Sequence, residues 1–599
     1  MGIGKNLETF DIDEYSGGVN YVYDLLDLEA NESPDSMNVV FKDKKMWERS
    51  GSTKKFDVGS EEVYAMADFG VSAYNRYLTC HVGSDVKTIL NLNGTTTTIR
   101  TDAPNSKSRF IEVKQFLIQV CSNYSALYYW DGAAESMALV SASAPSVKFG
   151  TEFQGYFLAA NAETTKLRIY YEDTNTMIGG SYASYFTLPG SKDDEITGFF
   201  KINGRQYVGT KNNVFRLSFI GGVAVFEYKE VVTDIGVVSD TPNTVTTPEF
   251  GQIVIFLGQD LSMYLFDGAF VRKISKKYER PNLTTPFAMS RIDRNYFDNA
   301  FAIFDIASDA YRLFVTNKGS STNKYCVNID VDKFGYYPFD NMTFSSGVVA
   351  QNLVGKRTFL VGDTTGNIYQ LLDGSNNDSG TPIVSYYDSP PLNKNASSVH
   401  KMRFADMFFT PVANYKLTVY DKTDFATSWS KRTSVPMYSQ RDRFLGENTA
   451  LATTAVLGSN QELLHHQVNI PATCNMYRIR LKKEVDDSSY MCEYSTGTIT
   501  GTGGGTTLTG VDTAWESYMT SDNGYKIWID DGDHKNELYD FTYGSSTTAT
   551  ISTMVSGDFS GASYVIYRNG CALCSRGWEL AKMDLVYENT TVGAGRRTR

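Results

Sequence analysis

Residues 250–268, FGQIVIFLGQDLSMYLFDG, hold the pattern that decides the fold of this chain. An apolar strand is followed by a turn containing Gly and Asp, then by an aromatic strand and a closing Asp-Gly turn. Each apolar run has the length of a strand and is too short for a helix. Because two such strands cannot bury an apolar face alone, the stretch predicts one unit of a larger all-β assembly.

The same unit recurs along the chain at intervals of about 35 to 50 residues, which is the spacing of propeller blades. Two further copies are KQFLIQVCSNYSALYYWDG, residues 114–132, and KRTFLVGDTTGNIYQLLDG, residues 356–374. About seven units can be counted, so the sequence predicts a six- to eight-bladed β-propeller over residues 60–375.

The pattern changes after the propeller. Longer strands separated by polar loops, such as HKMRFADMFFTPV at 400–412, predict a β-sandwich or barrel platform over 376–494 and 571–599. Residues 495–570 are dense in Gly, Ser and Thr, but short apolar pieces recur among them, which indicates an inserted small β-module and not a linker. Residues 1–59 are expected to form an N-terminal arm and clasp, or to supply the strand that closes the propeller ring.

Composition and net charge limit the classes of function and partner that fit this chain. The 599-residue chain has a net charge of −12, which repels nucleic acid on average and argues against tight wrapping of DNA. No signal peptide or membrane anchor is recognisable, so we expect a soluble chain made in a cytoplasm. Solvated faces and a flexible tail are favoured over phosphate contacts for the two basic clusters, which are Lys273, Lys276, Lys277 and Arg280, and Arg596, Arg597 and Arg599.

Metal sites are not expected. Cys571 and Cys574 form a CxxC pair, but no second CxxC or HxxxH exists to complete a zinc site. Asp330 and Asp332 could be calcium ligands, yet the other oxygen ligands of a calcium loop are missing, so a solvated turn is favoured.

Catalytic motifs are also missing. The sequence has no Gly-x-Ser-x-Gly elbow, Walker loop or His-Glu-x-x-His. TSDNGYKIW, residues 520–528, resembles the Asp-box of sialidase-like propellers through Asp522 and Gly524. However, Lys526 replaces the Thr and Trp528 comes one position late. Glycoside hydrolysis needs two carboxylates at a defined separation, and the sequence selects no such pair. We therefore predict no enzyme, no catalytic residue and no cofactor.

The segment SGGVNYVYDLLDLEANESPDSMNVVFKDKKMWERSG, residues 16–51, resembles the N-terminal segment of tail-hub proteins of short-tailed bacteriophages. These proteins are also called nozzle, tail tubular or packaged-DNA-stabilisation proteins. Residues 251–275 are similar to a late blade of these hubs, and the insert is similar to small β-modules of phage tail and fibre proteins. The resemblance in the N-terminal segment is carried by Gly17, Gly18, Glu32, Ser33, Pro34, Asp35, Asn38, Arg49 and Gly51.

The resemblance implies a structural virion protein of the tail, assembled in the host cytoplasm. It implies a homo-oligomeric ring, commonly a hexamer, that extends the tail below the portal and its adaptor ring and conducts genome DNA through transient, non-specific contacts. It also implies that tail fibres or spikes and a plug or needle are the ring's neighbours. The alternative is a propeller that binds or cleaves polysaccharide.

Overall fold

The structure is a computed structural model of the chain. It describes residues 7–12, 14–21, 25–42, 44–72, 74–222, 225–279, 288–375, 377–379, 381–391, 399–410, 416–424, 426, 428–436, 464–469, 472–483, 493–494, 497–502, 505–513, 515, 525–530, 538–551, 558–568 and 579–590. The chain divides into two compact units: residues 17–24 and 53–371 form one, and residues 1–16, 25–52 and 372–599 form the other.

Among the described residues, the first unit is a propeller of seven blades, each built on four strands. The sheets of blades 6 and 7 continue beyond their fourth strand with further short strands. The first strand of each blade lies against the first strand of the next. The strands of blades 1 to 6 follow in chain order. Blade 1 has Val63–Gly70, Arg76–Val82, Asp85–Leu90 and Thr96–Arg100; blade 2 has Ser108–Val113, Phe116–Cys121, Tyr128–Trp130 and Ala138–Leu139; blade 3 has Val147–Phe153, Tyr156–Ala162, Thr165–Asp173 and Tyr185–Thr187. Blade 4 has Ile196–Ile202, Arg205–Thr210, Val214–Phe219 and Phe226–Val232; blade 5 has Asn243–Thr247, Gly251–Leu257, Met263–Phe266 and Val271–Lys273; blade 6 has Phe301–Asp305, Ala310–Val315, Tyr325–Asp330 and Tyr336–Phe339.

Blade 7 closes the ring with a strand from far upstream. Its first three strands are Phe344–Gln351, Arg357–Asp363 and Asn367–Leu371, and its outer strand is Ser52–Asp57. Next to that strand, the Val58 amide donates to the Gly366 carbonyl at 2.9 Å. On the inner side, the hydroxyls of Ser345 and Ser346 donate to the Val63 carbonyl of blade 1 at 2.8 and 2.7 Å. Ser52–Asp57 therefore covers the outer edge of Asn367–Leu371 in blade 7.

Local turn chemistry explains the hairpins. Asn203 and Gly204, with φ of 49° and 73°, form the two-residue link between Ile202 and Arg205. Positive φ at both positions is the requirement of a type I′ turn, which Asn-Gly meets at little cost. Apolar side chains between neighbouring blades then form the core, as where Leu158 of blade 3 and Val208 of blade 4 share one buried cluster.

Two of the sheets described in the second unit are built from widely separated parts of the chain. The aromatic rings of Phe41 and Tyr387 connect these sheets, with centroids 6.1 Å apart. One sheet has the order Leu464–Asn469, Val399–Thr410, Glu579–Thr590, Lys45–Glu48 and Val39–Lys42; Leu7–Ile12 pairs with Glu579–Thr590 and Thr473–Cys474 pairs with Val399–Thr410. The other has the order Ser36–Met37, Tyr386–Asp388, Tyr477–Lys483, Lys416–Thr423 and Ser430–Pro436.

The inserted segment forms its own closed sheet within this second unit. Strand Phe559–Arg568 pairs on one side with Thr498–Gly501 and on the other with Tyr525–Asp530. Thr507–Val511, Thr548–Ile551 and Leu538–Tyr543 complete the ring, and Glu493–Tyr494 pairs with the C-terminal end of Phe559–Arg568. Trp515 fills the centre and donates from its indole nitrogen to the Tyr564 hydroxyl at 2.9 Å. The prediction of an all-β fold with a propeller and a further β domain is confirmed.

The first 59 residues are divided between the two units. Strands Leu7–Ile12, Val39–Lys42 and Lys45–Glu48 belong to sheets of the second unit, whereas Gly18–Val19 runs beside Tyr336 of blade 6. Short 3₁₀ helices are found at Leu25–Asp27, Lys276–Tyr278, Met289–Arg291 and Arg294–Asn299. None of the described helices is long and apolar enough to cross a membrane.

Candidate functional site

Two adjoining cavities lie at one end of the propeller. Strands alternate in direction within each blade, so the links between second and third strands and between blades meet at this end. The first cavity has a volume of about 420 Å³ and the second of about 450 Å³. Ser122 and Asp298 line both cavities, and we call the two adjoining cavities together the polar trough.

A short helix, Arg294–Asn299, forms part of the wall of the polar trough. The Asp293 carboxylate accepts the Asn295 amide at 3.0 Å and caps the helix start. The Lys107 ammonium donates to the carbonyl oxygens of Asp298 and Ala300 at 2.6 and 3.0 Å. Lys107 therefore ties the end of the helix to blade 2.

A half-buried ion pair lies beside the polar trough, with Arg109 in its wall. The Arg109 guanidinium donates to both oxygens of Asp240 at 2.6 and 2.7 Å, and the Lys107 ammonium lies 3.3 Å from the same carboxylate. Burial alone would raise the pKa of Asp240, but the two cations outweigh it and the pKa lies below its usual value. Arg109 also lies over the Phe149 ring at 4.2 Å. The pair joins blade 2 to the link that enters blade 5.

Two more carboxylates in the trough have contrasting environments. The Glu195 carboxylate forms ion pairs with the ammonium groups of Lys211 at 2.8 Å and Lys166 at 3.3 Å. Burial raises the pKa of Glu195, but the opposing effect of the cations, mainly Lys211, is larger, so the pKa lies below its usual value. Burial raises the pKa of Glu62 at the other end of the trough, and Lys107 only partly opposes that effect.

This arrangement bears on the glycosidase alternative. A general acid needs a raised pKa, and Glu62 is the trough carboxylate that has one. A second, unpaired carboxylate would have to face it. Asp240 and Glu195 are each bound by two cations and are unsuited to that role.

Sequence reasoning missed the residues of the polar trough, although a signal for them exists. Tyr64, Arg109, Lys148 and Thr197 are each the second residue of the first strand in blades 1 to 4. All four line the trough. Superposing the repeats by strand, instead of searching for motifs, would have assigned them to one ring of positions.

The residues singled out in the sequence lie elsewhere. The Asp330 carboxylate accepts the amides of Asp332 and Lys333 at 2.9 and 3.0 Å, as in a turn. No group of three or more potential metal ligands occurs among the described residues. Lys273 pairs with Glu279 at 2.7 Å. Lys526 and Trp528 fall on a strand of the insert. Cys571, Cys574, Asp522, Gly524, Arg280, Arg596, Arg597 and Arg599 lie outside the described residues.

The motif residues of the N-terminal segment form a second cluster, inside the second unit. Glu32, Ser33, Asp35, Asn38 and Arg49 are all buried. The Asn38 amide donates to the Val384 carbonyl at 2.7 Å, and the Ser33 hydroxyl donates to the Asp388 carbonyl at 2.8 Å. These side chains therefore hold the N-terminal turn against the strand Tyr386–Asp388 and the residues before it.

Arg49 and Gly51 show why the Arg-x-Gly ending is needed. The Arg49 guanidinium pairs with both oxygens of Asp378, at 2.9 and 2.5 Å, and donates to Asn38 Oδ1 at 2.8 Å. The Gly51 amide donates to the Ser375 carbonyl at 2.7 Å. A Cβ at position 51 would clash with the Asn377 carbonyl oxygen, so only glycine fits.

Asp35 lies in a charged group beside that turn. Arg480 forms two hydrogen bonds with Asp388, at 2.5 and 2.8 Å, and its guanidinium lies 4.6 Å from the Trp429 ring centroid. The Tyr386 hydroxyl donates to Asp35 at 3.1 Å. Burial, reinforced by the neighbouring Asp388 charge, raises the pKa of Asp35 to about 7.

Comparisons with known proteins concern the fold alone. No protein-family model matches the sequence, and a search of curated proteins finds no relative. The extracellular domain of the hybrid two component system BT4673 from B. thetaiotaomicron is 9% identical with a TM-score of 0.36; the alignment covers 54% of this chain and 39% of that one. The Pan2 WD40 domain of Neurospora crassa is 10% identical with a TM-score of 0.32, over 54% of this chain and 95% of that one. The coronin WD40 domain of Toxoplasma gondii is 11% identical with a TM-score of 0.33, over 57% and 87%.

Proposed function

We propose that this chain is a structural subunit of a short-tailed phage tail, the hub or nozzle that continues the tail tube below the portal and adaptor. The observation that carries the proposal is the burial of the resembling segment. Its residues Ser33, Asn38 and Arg49 are hydrogen-bonded to residues 378–388 of the same second unit, so the segment is an integral part of that unit's fold. If this chain and the tail-hub proteins have the same architecture, the residues of the resembling segment should be buried and hydrogen-bonded within the fold.

In this proposal the chain forms a homo-oligomeric ring, a hexamer in the form that the resemblance implies. Its neighbours are the portal-adaptor proteins, the tail fibres or spikes, and a plug or needle that helps to retain packaged DNA. The chain is not an enzyme, and its location is the virion tail after assembly in the host cytoplasm.

The charge of the chain suits a passive conduit. A net charge of −12 sets an unfavourable long-range field for phosphates. Each neutralised phosphate adds affinity and therefore resistance to sliding, so a channel for moving DNA needs few such contacts. Rotational symmetry would repeat the same walls around the channel.

The test uses the purified full chain. Electron microscopy should show closed rings, and particles that stay monomeric at micromolar concentration would contradict the ring. Duplex DNA should bind at physiological salt with a dissociation constant above about 1 µM, and the affinity should depend only weakly on salt concentration. A sub-micromolar affinity that falls steeply with salt would contradict the conduit.

A second candidate function is polysaccharide binding or cleavage at the polar trough, favoured by the raised pKa of Glu62. Hydrolysis of host polysaccharide that is lost in Glu62→Gln would establish it. Equal hydrolysis by Glu62→Gln and the unchanged chain would show that Glu62 is not the acid.

A further inference from the structure

The second cavity of the polar trough carries more positive than negative charge. Arg109, Lys148, Lys211 and Arg294 line it, against the carboxylates of Glu195 and Asp298. Counting Asp240 behind Arg109 still leaves one more cation than carboxylates. This excess occurs in a chain whose net charge is −12, so the general composition does not account for it.

Among the described residues, two of the four cations form ion pairs with carboxylates, and the other two do not. Arg109 is held by Asp240, and Lys211 by Glu195. Lys148 and Arg294, by contrast, have no carboxylate within ion-pair distance among the residues that the structure describes. The Lys148 ammonium lies 5.1 Å from the Tyr124 ring centroid; its charge contributes to the lowered pKa of Glu195, but the two groups form no ion pair at contact distance.

The rest of the wall is mostly polar, although the amides of Asn161 and Gln259 already donate to backbone carbonyls within the fold. Amide and hydroxyl side chains surround the cations, and the aromatic ring of Phe297 is among the few apolar surfaces. The amide and hydroxyl residues are Asn161, Asn212, Asn295, Gln259, Ser122, Ser239 and Thr197. Most ligand sites are lined by apolar groups, so a wall this polar selects a ligand with many hydrogen-bonding groups. The volume of about 450 Å³ lies within the range of small-molecule sites.

We propose that the second cavity binds an anionic saccharide, with Lys148 and Arg294 holding its carboxylate or phosphate and the amides and hydroxyls holding its ring hydroxyls. The site lies within the propeller unit. It therefore stands whether or not the chain forms a ring, conducts DNA or cleaves a polysaccharide.

Calorimetric titration of the full chain tests this site. The probes are glucuronate, glucose 6-phosphate and neutral glucose. At least one acid should bind with a dissociation constant in the millimolar range or tighter, and glucose should bind about tenfold more weakly or worse. Binding of glucuronate alone assigns a carboxylate, and binding of glucose 6-phosphate alone assigns a phosphate.

Two variants and a control identify the cations. Lys148→Met keeps the length of the side chain and should weaken binding about tenfold or more, as should Arg294→Gln. Lys201→Met is the matched control, because Lys201 lies near the far end of its inner strand and pairs with Glu152 at 3.8 Å. Thermal melting verifies that each variant is folded.

Three results would overturn the proposal. The first is equal affinity for glucose and the two acids. The second is no binding of either acid up to about 50 mM. The third is wild-type affinity in both Lys148→Met and Arg294→Gln; Arg294 is exposed, so its replacement does not disturb packing.

Discussion

Replacing Arg49 by Met tests whether the motif of the N-terminal segment is structural. The Arg49 side chain is 1% exposed and its partner Asp378 is 11% exposed. The substitution keeps an apolar stem but removes the guanidinium that pairs with Asp378 and donates to Asn38. The carboxylate and the amide oxygen are then left without their main donor.

The expected cost follows from burial. Removing one member of a buried ion pair costs about 3 to 5 kcal/mol, because the other charge stays desolvated and uncompensated. For a unit of this size, each kcal/mol lowers the melting temperature by about 2 to 4 °C, so the shift should be about 6 to 20 °C. The double variant Arg49→Met/Asp378→Asn should lose less than the two single variants added together, since it leaves no unpaired charge.

Scanning calorimetry of the full chain gives the melting temperatures, and hydrogen exchange assigns each transition to a unit. Lys54→Met is the matched control: its partner Asp57 lies 3.0 Å away, but the two side chains are 45% and 64% exposed. An exposed pair contributes about 0 to 1 kcal/mol, so the control should melt nearly as the unchanged chain does. An Arg49→Met transition within 2 °C of the unchanged one, by the conversion of about 2 to 4 °C per kcal/mol, would refute the reasoning.

Three other outcomes are expected. The pKa of Asp35 is raised to about 7 from 3.8, so Asp35 should stabilise the second unit fully below pH 3.8 and lose that contribution as pH rises to about 7. Asp35→Asn should flatten this part of the pH–stability curve. An unchanged slope would contradict the assignment. Gly51→Ala should destabilise the second unit strongly through its clash with Asn377, whereas Gly94→Ala, which meets no atom within 4 Å, should cost only about 1 kcal/mol in chemical denaturation. Replacing residues 495–570 by a short turn should leave the propeller transition in calorimetry in place, and loss of both transitions would show that the insert belongs to a shared core.

The propeller could be predicted because its signal is local and repeated. Strands of five to eight residues joined by Asn-Gly or Asp-Gly turns specify a hairpin wherever they occur, and the repeat fixes how hairpins assemble. The first strand of blade 1 begins at Val63, and the third strand of blade 7 ends at Leu371.

The sequence offers the N-terminal segment as one source of the strand that closes the ring, but the residues of elements without a local signal could not be assigned in advance. The outer strand of blade 7 has the sequence STKKFD and is mostly exposed, so it carries no apolar alternation to mark it. Leu7–Ile12 pairs with a strand near residue 585, and nothing in either segment identifies the other. The trough cations come from separate blades, and only the ring geometry brings them together.

The closing strand of blade 7 has a consequence for biosynthesis. Asp57 leaves the ribosome about 300 residues before the strand that it must join, which ends at Leu371. At about 5 to 20 residues per second, the nascent chain carries that strand unpaired for about 15 to 60 s. The segment Leu7–Ile12 waits longer still, until its partner Glu579–Thr590 has been made. The outer strand Ser52–Asp57 has a polar, lysine-bearing sequence, which disfavours pairing with other chains while the strand is unpaired during translation. The completed ring no longer needs this protection.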